Sequence, residues 1–280
     1  MRTQLGIALT AARPAKPIFA PTAARSRFVP AILTLRDLVT KLGQSISSID
    51  GKTVRSFKAL LAAPGTLAVA YVRGQRRVYL SPLKVFFIAN ALFFAAQSAT
   101  HTNILSSSLE SHLNQQDWKS VARPMVARHL EAEQLTLAEY APVFDTAVVF
   151  YAKTLIILMT LCFAPFLAVA FLSERRPIGV HIVFSLHLYA FVLLLFCVSL
   201  GLTELDLILG GKGLASSRVD LVLSLFNLGA CATYLYMAIG TAYGARGVSR
   251  IVKAAALACV VAAIVIGYRF LIFLITLWGS

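Results

Sequence analysis

Acidic residues are scarce in this chain: 12 Asp and Glu stand against 26 Lys and Arg, and charges of both signs make up only 14% of 280 positions. So thinly charged a surface does not suit a soluble domain. The 58% hydrophobic content and mean hydropathy of +0.77 point instead to a polytopic membrane protein. Cysteine is scarcer still. Cys162, Cys197, Cys231 and Cys259 each sit in a separate apolar run with no Cys-x-x-Cys pair, so each reads as a small buried hydrophobe. A nucleophile elbow, a Walker loop, a paired-histidine zinc helix and a dinucleotide fingerprint are all missing. Gly210-Gly211-Lys212-Gly213 lacks the spacing of a phosphate loop and reads as a flexible turn. With no convergent acid, base and nucleophile, the expectation is a non-enzymatic protein with no cofactor and no metal.

The net charge of +14 is unevenly spread. Thirteen Lys and Arg fall within the first 82 residues, against only Asp37 and Asp50. This juxtamembrane excess has no interleaved aromatics and no nucleic-acid-binding motif, so its expected partner is anionic lipid rather than nucleic acid. Residues 1–30, rich in Ala, Pro and Arg, lack the apolar core and small-residue cleavage site of a signal peptide; a disordered basic cytoplasmic tail is expected, with an organelle transit peptide as the alternative. From Ile32 to Ile49 the apolar positions recur every three or four residues, as on one face of a helix. A second helix fits Thr53 to Ala63, with Val54, Phe57, Leu60 and Leu61 opposite Lys52, Arg55 and Lys58, ending at Pro64. The 31–82 region is therefore read as cytoplasmic and amphipathic, lying in the headgroup plane or packed on the ends of the bundle.

Five apolar runs approach the roughly 20 residues that span a bilayer: Leu83 to Thr100, Thr154 to Leu172 with a kink at Pro165, Val180 to Leu202, Leu221 to Tyr243, and Ala254 to Trp278. Basic loops at Arg175-Arg176 and at Arg246, Arg250 and Lys253 belong inside, while the loop 101–153 carries six acids against four bases and belongs outside. The expected fold is an all-α integral membrane protein over residues 83–280, with five transmembrane helices, amphipathic cytoplasmic N-terminal helices and a partly helical external loop. Its N-terminus would be cytoplasmic and its C-terminus external.

The stretch Asp50 to Ser98 is the most patterned. Thr53, Pro64-Gly65, Tyr71, Gly74, Arg76, Tyr79 and Pro82 fall at set intervals just before a Phe-rich span. In this it resembles a bacterial inner-membrane family known as domain of unknown function 3667, whose members look like a zinc ribbon followed by this basic motif and several transmembrane helices. Here no cysteine precedes Cys162, so the zinc ribbon is missing and no zinc site carries over. The resemblance implies a bacterial inner-membrane location and no established activity. Physically, Pro64-Gly65 breaks a helix, Gly74 permits a left-handed turn, and Pro82 suits a first helical turn. Arg73, Arg76, Arg77 and Lys84, with Tyr71 and Tyr79 as interface residues, sit where lipid phosphate or a cytoplasmic partner would contact the chain. The same elbow also reads as a device that only docks the helices and fixes topology.

Three polar residues interrupt the apolar runs. Arg269 lies near the depth of Glu204, Asp206 and Asp220 and is read either as a structural or snorkelling charge or as part of a substrate or proton path. His187, with Asn227 and Tyr189, is read as an interhelical hydrogen bond or as a proton relay. His181 is expected to face headgroups. The loop histidines His101, His112 and His129 show no compact ligand spacing. Three functions remain open: a membrane scaffold or interaction protein engaging anionic lipid or a membrane or cytoplasmic protein partner; a small-solute transporter or permease component using Arg269; and, least supported, a lipid-directed enzyme.

Overall fold

A computed structural model describes residues 51–75, 77–100 and 102–279, with Ala215 described in its backbone alone. The basic tail 1–30, the helix expected over Ile32 to Ile49, Arg76 and His101 lie outside the described residues. Among the described residues there is no strand. Residues 51–62 are helical (α1), followed by α2 (Thr66–Val72), α3 (Pro82–Thr100), α4 (Leu109–Asn114), α5 (Lys119–Glu133), α6 (Leu137–Leu155), α7 (Ile157–Ala170), α8 (Ile178–Ile208), α9 (Ser217–Tyr243) and α10 (Gly247–Gly279). Four of these, α3, α8, α9 and α10, are individually long and apolar enough to cross a membrane, and the α6–α7 pair makes a fifth if counted as one bent span.

Helix α8 is the axis of the bundle. It is apolar over most of its length, 67% of its most apolar stretch is buried against 28% for α10, and it packs along α3, α7 and α9. Helix α3 meets it through Val85, Phe86, Ala89 and Phe93, spaced three and four apart so that one stripe faces inward; the Phe93 and Phe196 rings lie 6.0 Å apart. Helix α10 closes the other side against α6, α7 and α9. The outward faces are apolar as well: Phe87, Phe150, Phe166, Val169, Leu221 and Val222 are all exposed. A continuous apolar exterior of this kind suits lipid rather than water.

The second span differs from the sequence expectation. It begins at Leu137 rather than Thr154, so the segment read as external loop contains most of α6 in addition to α4 and α5. A capping box starts α6: Thr136 and Glu139 exchange hydrogen bonds with each other's backbone. The bend of 44° falls at Ile156, and α7 runs through Pro165 as one helix.

The elbow before α3 is built on glycine and a buried hydroxyl. Gly65 sits at φ 86° between α1 and α2, and a Cβ there would lie 2.6 Å from the Ala238 carbonyl oxygen of α9. Only glycine satisfies both the left-handed backbone and that approach. Helix α2 ends in a Schellman motif: Gly74 N–H bonds to Tyr71 O and Gln75 N–H to Ala70 O, with Gly74 at φ 79°. The Leu80 N–H then donates to the buried Ser56 Oγ at 2.9 Å, tying the exit of the elbow to α1. Pro82 opens α3.

Of the four apolar residues expected on one face of α1, only two turn inward. Leu60 is 1% exposed and Phe57 packs on the core, whereas Val54 and Leu61 are 66% and 52% exposed. Ser56 takes the buried position between them. The elbow thus docks on α8 and α9 and leaves a partly apolar outer surface.

Candidate functional site

Two cavities sit at opposite ends of the bundle. The end bearing α4, α5 and the turn at 209–216 is called the cap end here, and the end bearing the elbow and the 171–177 and 244–246 turns the basic end.

At the cap end, α8, α9 and α10 enclose a cavity of about 250 Å³. Its helical lining follows three registers: Val192, Phe196, Ser199 and Thr203 on α8, Asp220, Ser224, Asn227 and Cys231 on α9, and Ala258, Val261, Val265 and Arg269 on α10. Spacings of three and four keep each set on one face. Arg269, Asp220 and Thr203 mark one end of this lining, and Val192, Cys231 and Ala258 the other. From Arg269 to Ala258 the distance along the helix is roughly 16 Å. The cavity is therefore charged at one end and apolar at the other.

Arg269 has a restricted set of partners. Its Nη2 donates to Ser107 Oγ at 3.1 Å, and its guanidinium lies 5.9 Å from the Trp118 ring centre. Its Nε is buried without a hydrogen-bond partner among the described residues. No described carboxylate comes within ion-pair distance of it, the single such pair among the described residues being Arg176–Glu174 at 3.8 Å. Asp206, expected near Arg269, is engaged elsewhere: its Oδ2 accepts from the Gly213 N–H at 2.9 Å, and its carbonyl from the Gly211 N–H. The Gly210–Gly213 segment is consequently a pinned turn rather than a loose one. Asp220, in the first turn of α9, is the acid that faces the cavity.

The segment 102–108 covers this end. Gln97 grips it with both ends of its amide, Nε2 donating to Ser106 Oγ at 2.6 Å and Oε1 accepting from Ile104 N–H at 3.2 Å. Asp145 of α6 accepts from Leu109 N–H at 2.8 Å. His112 is 1% exposed and its Nδ1 accepts from Trp118 Nε1 at 3.1 Å, beside the Phe273 ring. Burial first, and then the positive charge of Arg269, push the His112 imidazole down to about 4, so it is neutral at ordinary pH.

The intramembrane polar residues separate. Asn227 lines the Arg269 cavity, where its Oδ1 accepts from Ser199 Oγ at 2.9 Å. His187 does not join them, which corrects the expected His187–Asn227 hydrogen bond. It lies twelve residues before Ser199 on α8, roughly 18 Å lower. His187 Nδ1 and Tyr189 Oη are both buried without a partner among the described residues. His181, expected among headgroups, is 2% exposed and hydrogen-bonded to Tyr243 Oη at 2.9 Å. His112 and His129 do not converge, and no group of three or more His, Cys, Asp or Glu side chains placed to hold a metal occurs among the described residues.

The basic end holds the second cavity, about 270 Å³, lined by Arg73 of the elbow, Arg176, Val180, Thr241 and Tyr243. Arg176 Nη1 donates to Ala242 O at 2.9 Å, capping the C-terminus of α9, and its guanidinium lies 5.0 Å from the Tyr243 ring. Arg250 Nε donates to Tyr236 O at 2.7 Å, about two turns before that helix end. Arg73, Arg77 and Lys84 are exposed, while Tyr71 and Tyr79 are half-buried. The sequence singled out Arg73 but not Arg176, which comes from a turn about 100 residues later.

The elbow also decides what the chain is similar to. Residues 50–94 match the model of a family described as a protein of unknown function, DUF3667. The DUF3667 match takes in α1, α2 and the elbow and ends within α3; the Arg269 cavity lies wholly outside it, and only the elbow wall of the second cavity lies within. Its Pro64-Gly65, Gly74 and Pro82 are the positions that break, turn and restart the helices. Neither a curated protein nor a solved structure matches the chain.

Proposed function

We propose that this is a non-enzymatic, multi-pass inner-membrane protein that takes up a small organic anion at Arg269, as a solute transporter or permease component. One observation carries the reading: a guanidinium between apolar spans faces a cavity, and among the described residues no carboxylate lies within ion-pair distance of it. An intramembrane charge of this kind is costly unless matched. A scaffold whose sole requirement was packing would pair the charge or fill the space. The loop-charge pattern supports an N-terminus inside and a cap end outside, so the cavity would open outward.

The test uses the purified full chain in nanodiscs and 4-methylpentanoate, a carboxylate with a short apolar tail. Saturable binding that Arg269→Gln weakens at least tenfold, while Thr146→Ala on the exposed side of α6, away from the cavity, retains it, is the expected result. Equal binding by both variants and the parent would overturn the reading.

The second cavity favours a companion reading, in which the basic end contacts anionic lipid or an acidic cytoplasmic segment. Arg73 and Arg176 sit together where lipid phosphate would lie, and Tyr71, Tyr79, Arg77 and Lys84 flank them, with Arg76 in the same stretch of sequence. This is the scaffold function expected from the sequence, and it is compatible with transport at the other end.

A further inference from the structure

The cavity at Arg269 faces two charges of opposite sign, and they do not neutralise each other. Arg269 and Asp220 both line it, yet no ion pair forms between them. Asp220 is the carboxylate on the cavity wall. From this arrangement, and resting on the reading of Arg269 as an anion site, we infer that the ligand is a zwitterion: a small α-amino acid with an apolar side chain.

The argument is one of matching signs. A simple anion seated on Arg269 would meet the carboxylate of Asp220 across the same space and be repelled by it. A simple cation would meet the reverse difficulty. A molecule carrying an ammonium and a carboxylate on adjacent atoms presents each wall charge with its opposite. The uncharged polar side chains beside them, Ser199, Asn227 and Ser224, offer further donors and acceptors without favouring either sign.

Size and polarity set the rest of the ligand. At about 250 Å³ the cavity falls below the roughly 300–1,000 Å³ of pockets for drug-sized molecules. Its inner end is apolar on all three helices, with Val192, Cys231 and Val261 facing the space. That end suits a branched aliphatic side chain, and a charged or strongly polar one would be left without partners there. The three elements of an apolar α-amino acid thus meet three distinct parts of the lining.

L-Leucine differs from 4-methylpentanoate by the ammonium alone, so the two probes isolate the part played by Asp220. On the full chain in nanodiscs, leucine is expected to bind at least tenfold more tightly than 4-methylpentanoate, with N-acetyl-L-leucine and L-leucinamide both weaker than leucine. Asp220→Asn should bring leucine down to the level of 4-methylpentanoate without weakening the latter, and Asp220→Glu should restore part of the difference. Because Asp220 is exposed at the first turn of α9, these variants are expected to fold. Leucine binding no tighter than 4-methylpentanoate would overturn the zwitterion assignment while leaving the anion site standing. A leucine preference that survives Asp220→Asn would overturn it too. Failure of every probe, 4-methylpentanoate included, would remove both readings together.

Discussion

Gly65 carries two constraints that a side chain cannot meet, and they predict a ranked pair of variants. Gly65→Ala must abandon a left-handed backbone and push a methyl group into the Ala238 carbonyl at 2.6 Å, so α2 must lift from α9. The expected cost is about 3 kcal/mol or more, since strain and lost packing add. Gly74→Ala has the same backbone sign but open space around it, and should cost about 1 kcal/mol. Thermal unfolding in one detergent compares them, and equal losses would mean that the approach to α9 contributes nothing. His112 gives a pH dependence. The unfolded chain takes up a proton near 6.5, whereas the folded chain refuses it until about 4. Stability is therefore full above 6.5 and falls as the pH drops through that window, by on the order of 3 kcal/mol. The His112→Phe variant, which removes the imidazole and keeps an aromatic ring in its place, is the comparison. It should lose the pH slope between 6.5 and 4.5.

At the scale of elements, α3, α8, α9 and α10 were legible because composition alone marks a long apolar helix. Helix α6 was not. Glu139, Pro142, Asp145 and Lys153 lower its mean hydropathy, yet its buried side is strictly periodic: Tyr140, Phe144, Val148 and Ala152 recur every four residues. Averaging over a window hid what the period would have shown. The sequence likewise predicts a kink at Pro165, the residue with the obvious mechanism, whereas the bend falls at Ile156. The candidate site was half legible. Arg269 and Asn227 announce themselves as polar interruptions, but that Asp220 faces the cavity while Asp206 does not depends on the turn at 209–216, which no spacing rule supplies. Phe144, fully buried between α4 and α10, tests the element: Phe144→Ala should cost about 3–5 kcal/mol. Thr136→Ala should cost about 1 kcal/mol and raise hydrogen exchange in the first turn of α6 alone.

For the whole molecule, the two ends differ in charge, and this predicts both its orientation and its affinity for lipid. With the native cysteines replaced, a single cysteine at Ser216 should react with a membrane-impermeant maleimide from outside intact cells, and one at Arg246 should react only after lysis. The reverse pattern would invert the topology argued from the loops. Replacing Arg73 and Arg176 together by Gln should weaken the affinity of the protein for phosphatidylglycerol-rich nanodisc lipid, and reduce its salt dependence, with little change in zwitterionic lipid.

Helix α8 has a consequence of length. Its 31 residues make a rod of roughly 46 Å, against about 30 Å of hydrocarbon. Tilt absorbs part of the surplus and the rest must project into the headgroup layer. If the excess lies at the cap end, Thr203 and the mouth of the Arg269 cavity stand at the level of the phosphates instead of mid-bilayer. A solute would then enter sideways from the interfacial water, and a thicker bilayer would drown the doorway.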